Sequence, residues 1–313
     1  MADKSRALQI INHWGWYEWT IHTHFSFLMG ASYPHEYLER AVTLGYRGLG
    51  VCDLDGVYGL ARTHLDLKKL QKKGGSLPEG SGFKLFYGME LHLAPDHHRP
   101  MVLRDTVTLI AQTREGYSHL CRLSSEAHRL RGKTGAYLTL DEIRGLGDLQ
   151  GLVALQPMRG VFRRKMGVGE REEILKKRFH TLADLFPGRF YASLSCHLNP
   201  AEDLWIEPVL KTGQGLGVPF LLDQDVFFHE PRRKIMSDLL QSIRNNIPLD
   251  QAVPYMFVNH ERSLKSLEAL AFRYGSLPVF ERALQHSACL RSEERRVGKE
   301  CRLLCRSRWS PYH

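Results

Sequence analysis

Short apolar runs alternate with amphipathic helical patterns through most of this chain, and that beat constrains the fold more than any other feature. Residues 19–22 read as a buried strand, within an aromatic and β-branched run that starts at Tyr17. Pro34, His35 and Glu36 open a helix that Gly45 ends. Residues 48–52 form a second strand, and residues 59–70 repeat Leu60, His64, Leu67 and Leu70 at helical spacing. Further strands are expected at 84–90, 106–111, 151–155, 190–195 and 218–222. Further helices are expected at 116–130, 171–186 and 205–215, with two more between 237 and 270 on either side of Asn246-Ile247-Pro248. Strands that alternate with helices indicate an α/β protein with a parallel sheet. The units are too many for a simple open half-sheet, so a closed or nearly closed barrel is expected.

Polar residues punctuate the ends of these strands. His22 and His24 are two apart, and on a strand such residues share a face. Asp53 closes the second strand and Glu90 the third, while His197 and Asp225 follow two later ones. In a β/α barrel, residues just past the strand ends converge on one mouth, where sites form. Imidazole and carboxylate donors together suit zinc, manganese or iron. Such ions can clamp a phosphate and activate water. The competing reading is a set of unrelated loop polar groups. Other candidates carry less. His64 and His128 fall on helices, His97 and His98 in a polar loop, and the Lys68-Lys69 and Lys72-Lys73 pairs on a solvated helix end. Arg232, Arg233 and Lys234 precede a helix, where a surface cluster and a phosphate contact are equally open. Trp14, Trp16 and Trp19 read as core or docking contacts.

The net charge is +9, but residues 291–313 supply seven Lys/Arg against three Glu, leaving a mild +5 on the rest. That balance fits nucleic-acid contact without demanding it. No run of 18 apolar residues occurs and the first residues lack a signal-peptide pattern, so no membrane is expected and the cytoplasm is the expected location. The six cysteines form no C-x-x-C pair, and Cys301 and Cys305 have no second pair to complete a zinc site. Reduced thiols are expected.

The stretch from His22 to Ser32, HTHFSFLMGAS, resembles the opening motif of the PHP domains carried by bacterial C-family DNA polymerases. Residues 44–53, LGYRGLGVCD, resemble the second motif, and Tyr87-Gly88-Met89-Glu90 the third. Thr108-Leu109-Ile110-Ala111 with Gly116-Tyr117 resembles a further block. Asp225 to His229 with residues 237–244, SDLLQSIR, resembles the end of the domain. The opening and closing blocks are closest to the error-prone branch, and the resemblance spans about residues 17–285. It implies a distorted seven-stranded β/α barrel, TIM-like, of the PHP type. It implies a multi-ion phosphoesterase site in metal-competent members, in which His22, His24, Asp53, Glu90, His197 and Asp225 occupy ligand positions.

Three positions depart from that pattern. Leu54, Thr106 and Phe227 stand where the resemblance implies histidines. Leucine and phenylalanine cannot ligate a metal, and threonine is a poor neutral donor. A depleted site is therefore expected: a divalent ion (Zn, Mn or Fe) at partial occupancy, held by His22, His24 and a carboxylate. His229 and Asp55 are near enough in sequence to substitute. The implied function is that of an N-terminal PHP fragment of an error-prone DNA polymerase, serving replication and translesion repair. It would be mainly structural and would meet DNA through the full-length polymerase. The polymerase palm, with its magnesium ions, lies in a downstream region this chain does not encode, so the fragment alone is not expected to polymerise. The alternative is an active metal-dependent phosphoesterase or 3′–5′ exonuclease. The expected organisation is a lead-in at 1–16, the barrel at 17–245, a helical segment toward the polymerase body at 246–290, and a non-native basic tail at 291–313.

Overall fold

The computed structural model describes residues 2–72, 77, 82–94, 105–131, 135–158 and 167–293. The cysteines at 301 and 305, the histidines at 97 and 98, most of the loops expected at 74–82 and 94–100, and nearly all of the basic tail lie outside those residues. Seven strands form one sheet in sequence order: β1 (Tyr17–Ile21), β2 (Gly48–Val51), β3 (Lys84–His92), β4 (Thr106–Ala111), β5 (Leu152–Gln156), β6 (Phe190–Leu194) and β7 (Phe220–Leu222). Just past β7, Val226 bridges in parallel to Ile21, so the sheet curls into a nearly closed barrel. Around it run α1 (Ala2–Trp14), α2 (Pro34–Thr43), α3 (Leu60–Leu70), α4 (Arg114–Arg131), α5 (Leu140–Gly145), α6 (Val168–Leu185), α7 (Pro200–Asp203), α8 (Ile206–Leu216), α9 (Lys234–Asn245), α10 (Leu267–Tyr274) and α11 (Phe280–Glu293).

The expected parallel pairing holds for β1–β2–β3 and β5–β6–β7, but β4 runs antiparallel to both neighbours. No helical pattern separates β3 from β4 in the sequence. Without a crossover helix, the chain reverses and pairs directly. The reversal brings the start of β4 to the mouth where the other strands end, with Thr106 opposite His92 and Thr108 opposite Glu90.

Alternation along the strands divides the apolar residues between two faces. Tyr17, Trp19, Cys52, Phe86, Ile110, Val153, Leu155 and Leu221 fill the barrel interior. Leu49, Val51, Met89, Leu91, Leu109 and Ala154 face the helices. Gly50 lies against β1 so closely that a Cβ there would sit 2.0 Å from the Trp19 carbonyl oxygen. The far end of the barrel is stoppered by α11. Its Leu290 joins the interior cluster, and Ser287 Oγ accepts a hydrogen bond from Trp19 Nε1 at 3.1 Å. Helix α11 therefore packs into the end of the barrel, and α1, unforeseen in the sequence, packs against α10 and α11.

Side chains lace the seam between β7 and β1. Asp223 Oδ1 accepts from Thr20 N at 3.1 Å, and Glu18 Oε1 accepts from Gln224 N at 2.7 Å. Lys265 lies beside this seam, its backbone N donating to Tyr46 Oη and Gln224 Oε1, both at 3.2 Å. Burial pulls the Lys265 ammonium down to about 8, and Arg273 pushes the same way against the attraction of Glu261 and Glu18. An unfolded chain holds that proton up to the ordinary 10.5, so between pH 8 and 10.5 the unfolded state binds more protons than the folded one. Lys265 should therefore contribute stability that grows as pH rises through this window, by at most roughly 3 kcal/mol, and that is lost as pH falls through 8. Denaturant midpoints between pH 7.5 and 10 should rise in the native chain and flatten in Lys265→Met. An equal slope in both would show that Lys265 is not the group responsible.

Candidate metal centre

β1 delivers the first donor through a register shift between Glu18 and Ile21. Strict alternation would put Ile21 on the same face as Trp19. Instead Trp19 belongs to the interior cluster and Ile21 to the outer one. The shift leaves His22, the residue after the strand, directed into the mouth. Its Nε2 lies 3.0 Å from Glu90 Oε2 and 3.2 Å from Asp225 Oδ1. Glu90 is near the end of β3, and Asp225 follows β7 with a left-handed φ of 47°. All three side chains are buried, and one donor atom from each lies within 4.8 Å of the others. An imidazole nitrogen carries at most one proton, so it cannot fully satisfy two carboxylates by donation. One nitrogen and two carboxylate oxygens are, in contrast, a donor set that fits a single divalent ion such as zinc or manganese.

The other expected ligands are held elsewhere. His24 lies beyond the end of β1, so the two-residue face rule does not carry it into the cluster. Its ring packs against Phe25 and Tyr33 at 4.2 and 4.5 Å, and burial lowers its pKa. Asp53 serves as the knot of the opening loop. It accepts from Thr23 N at 2.7 Å, Thr23 Oγ1 at 2.9 Å, Ser26 Oγ at 2.7 Å and Gly59 N at 2.9 Å. A Cβ at residue 59 would fall 2.3 Å from Asp53 Oδ2, so glycine is needed there. Burial raises the Asp53 pKa even though these donors and His22 oppose it. His197 faces acceptors on both ring nitrogens: Glu202 Oε2 at 2.5 Å from Nδ1 and the Gln224 carbonyl at 2.6 Å from Nε2. Asp55 and His229, the possible substitutes, are engaged by His92 Nδ1 at 2.7 Å and Ser32 Oγ at 2.8 Å.

Two of the three departures are accounted for by packing. Phe227 stacks on the His22 ring at 4.1 Å and 23° and meets Phe257 at 4.8 Å. Leu54 joins it with Met29, Ala31, Phe228 and Phe257 in one apolar cluster at the mouth. Thr106 is buried opposite His92, and its hydroxyl has no hydrogen-bond partner among the described residues. Among the described residues, the donors that come together at this mouth make one cluster, which fits one ion.

Three participants escaped the sequence reading: His92, Glu202 and Arg262. Arg262 donates from Nη1 to Asp225 Oδ2 and from Nη2 to Glu202 Oε1, the latter at 2.9 Å. Burial would raise the Glu202 carboxyl, but Arg262 and His197 outweigh it and hold it at about 2. His92 had a legible sign, since it lies two after Glu90 on one strand face. Arg262 had none, because 37 residues separate it from Asp225.

A family model described as PHP domain matches residues 18–197. The error-prone DNA polymerase of Anaeromyxobacter dehalogenans (strain 2CP-C) is 33% identical over 81% of this chain and 20% of the polymerase. That of Bdellovibrio bacteriovorus is 29% identical over 85% of this chain and 23% of the polymerase, and that of Pseudomonas aeruginosa (strain PAO1) is 30% identical over 79% and 21%. The chain thus spans about a fifth of the length of these relatives. Among solved structures, an amidohydrolase from Chromobacterium violaceum overlaps with a TM-score of 0.42 at 13% identity, covering 68% of this chain and 87% of that one. An endonuclease Q complex with a 27-mer duplex substrate gives 0.39 at 15%, covering 69% and 49%. No helix among the described residues is long and apolar enough to cross a membrane. With strands, mouth and motif-bearing residues in place, and more than half of the sequence matched, the chain belongs to the PHP-domain family.

Proposed function

We propose that this chain is the PHP module of an error-prone DNA polymerase and that its work there is structural. The observation that carries the reading is the state of the mouth. Phe227 stacks on the one imidazole of the donor cluster, and Arg262 occupies the far oxygen of Asp225. A phosphate ester entering this mouth would meet an apolar plug where the resemblance implies further metal ligands. The module's partner is the polymerase body, and DNA is reached through the assembled enzyme in the cytoplasm. An exposed apolar stripe on α9, formed by Ile235, Met236, Leu239 and Ile243, offers surface for such packing. Nucleotide addition, with its magnesium ions, belongs to that body.

A second reading keeps catalysis in the barrel. His22, Glu90 and Asp225 would hold one zinc, manganese or iron ion, which when bound would supply Lewis acidity toward a phosphate ester. His24, Asp53 and His197 would then support the mouth from around the ion. The two readings part in one assay. The purified chain, loaded with Mn²⁺ or Zn²⁺ and given 3′-labelled single-stranded DNA, should release nucleotide no faster than a His22→Ala/Glu90→Ala variant. Metal-dependent release well above that variant would replace the structural reading with the catalytic one.

A further inference from the structure

Arg262 comes from beyond the strands and is nonetheless built into the mouth. Its carbonyl accepts from Phe227 N at 3.0 Å, and the next residue, Ser263, bridges in parallel to Phe228. The guanidinium lies 4.9 Å from the centre of the Phe257 ring and is 4% exposed. Backbone pairing on one side and an aromatic floor on the other fix the charge between Asp225 and Glu202, themselves 2% and 7% exposed. Two buried carboxylates that converge without a cation repel each other in a poorly solvated space. The gap they share requires positive charge, and a planar guanidinium bridges it with one nitrogen on each carboxylate.

We propose that Arg262 is a built-in counter-cation, its guanidinium filling a latent divalent-cation site formed by Asp225 and Glu202. The mouth thereby carries its own cation on this side without metal, and Arg262 and an ion are alternative occupants of the same carboxylate pair. The barrel then needs no metal supply to fold. Asp225 is shared with the His22–Glu90 cluster, so the guanidinium also draws one carboxylate partly away from any ion held there. This extends the structural reading of the module. The nuclease assay tests that reading, whereas melting and metal counting test this one.

The experiment compares Arg262→Met with the native chain, first in chelator and then with Mn²⁺ or Zn²⁺ alone. In chelator the variant should melt about 10 °C lower, the scale expected for a broken buried ion pair in a chain of this size. Divalent metal should close at least about half of that gap, and elemental analysis should find about one more ion per chain in the variant than in the native protein. A gap that no divalent ion narrows, with equal metal content in both proteins, overturns the proposal. Where Arg262→Met alone does not fold, Glu202→Gln/Arg262→Met relieves one stranded carboxylate. The proposal requires this double variant to melt above Arg262→Met in chelator and to lose the metal response. Additive losses in the double variant overturn it equally.

Discussion

Asp53→Asn should cost about 2–4 kcal/mol of folding stability, and the cost should be the same with Mn²⁺ present as in chelator. The carboxylate receives two backbone N–H groups and two hydroxyls, from Thr23, Ser26 and Gly59. An amide of the same shape must turn its NH2 toward at least one of those donors. Charge-assisted hydrogen bonds are lost and a buried N–H is left facing another N–H. The whole loop from His22 to Ser32 is tied through this knot, so the loss should spread to the position of His22. Urea midpoints in the two buffers measure it directly. A loss seen only with metal present would make Asp53 a ligand first and a loop organiser second.

Phe227→His, which returns an imidazole to a position where the resemblance implies one, should destabilise the chain by about 2–4 kcal/mol and create no nuclease activity. The phenylalanine is fully buried, stacked on His22 and packed among Met29, Ala31, Leu54, Phe228 and Phe257. A smaller ring leaves a void there, and its nitrogens enter a pocket lined by carbon. Arg262 still occupies Asp225, and Leu54 still offers no donor, so the added imidazole gains a position but no complete shell. Thermal melts and the 3′-labelled DNA assay together decide the matter. Stability unchanged and nuclease activity gained would mean that Phe227 alone stands between this mouth and catalysis.

How far the sequence reads ahead of the structure depends on the range of the interaction. The strand at 106–111 is legible to the residue, because its run of β-branched and apolar residues is continuous. The barrel follows from the count of strand–helix units. The direction of β4 does not, since periodicity says nothing about polarity; only the missing helix between β3 and β4 hinted at it. Helix α1 is faint because its partners, α10 and α11, lie more than 250 residues away. At the mouth, His22, Glu90 and Asp225 could be named from strand ends alone. That His24 falls outside the cluster depends on where β1 ends and on a register shift within it, which alternation conceals. Asp53 was legible as important but not in its role, because four donors to one carboxylate arise only after Thr23, Ser26 and Gly59 converge. Arg262 is the extreme case: its meaning comes entirely from a fold that carries it to Asp225.

The stopper at the far end of the barrel bears on how this chain must be made. Trp19 is made 268 residues before Ser287, whose hydroxyl accepts the hydrogen bond of its indole, and the leucine that seals the interior beneath it is residue 290. During synthesis the inner wall formed by Tyr17, Trp19, Phe86, Ile110 and Leu221 stays open to water at one end until α11 has followed. A nascent chain released at residue 245 carries every strand and still cannot dry its own lumen.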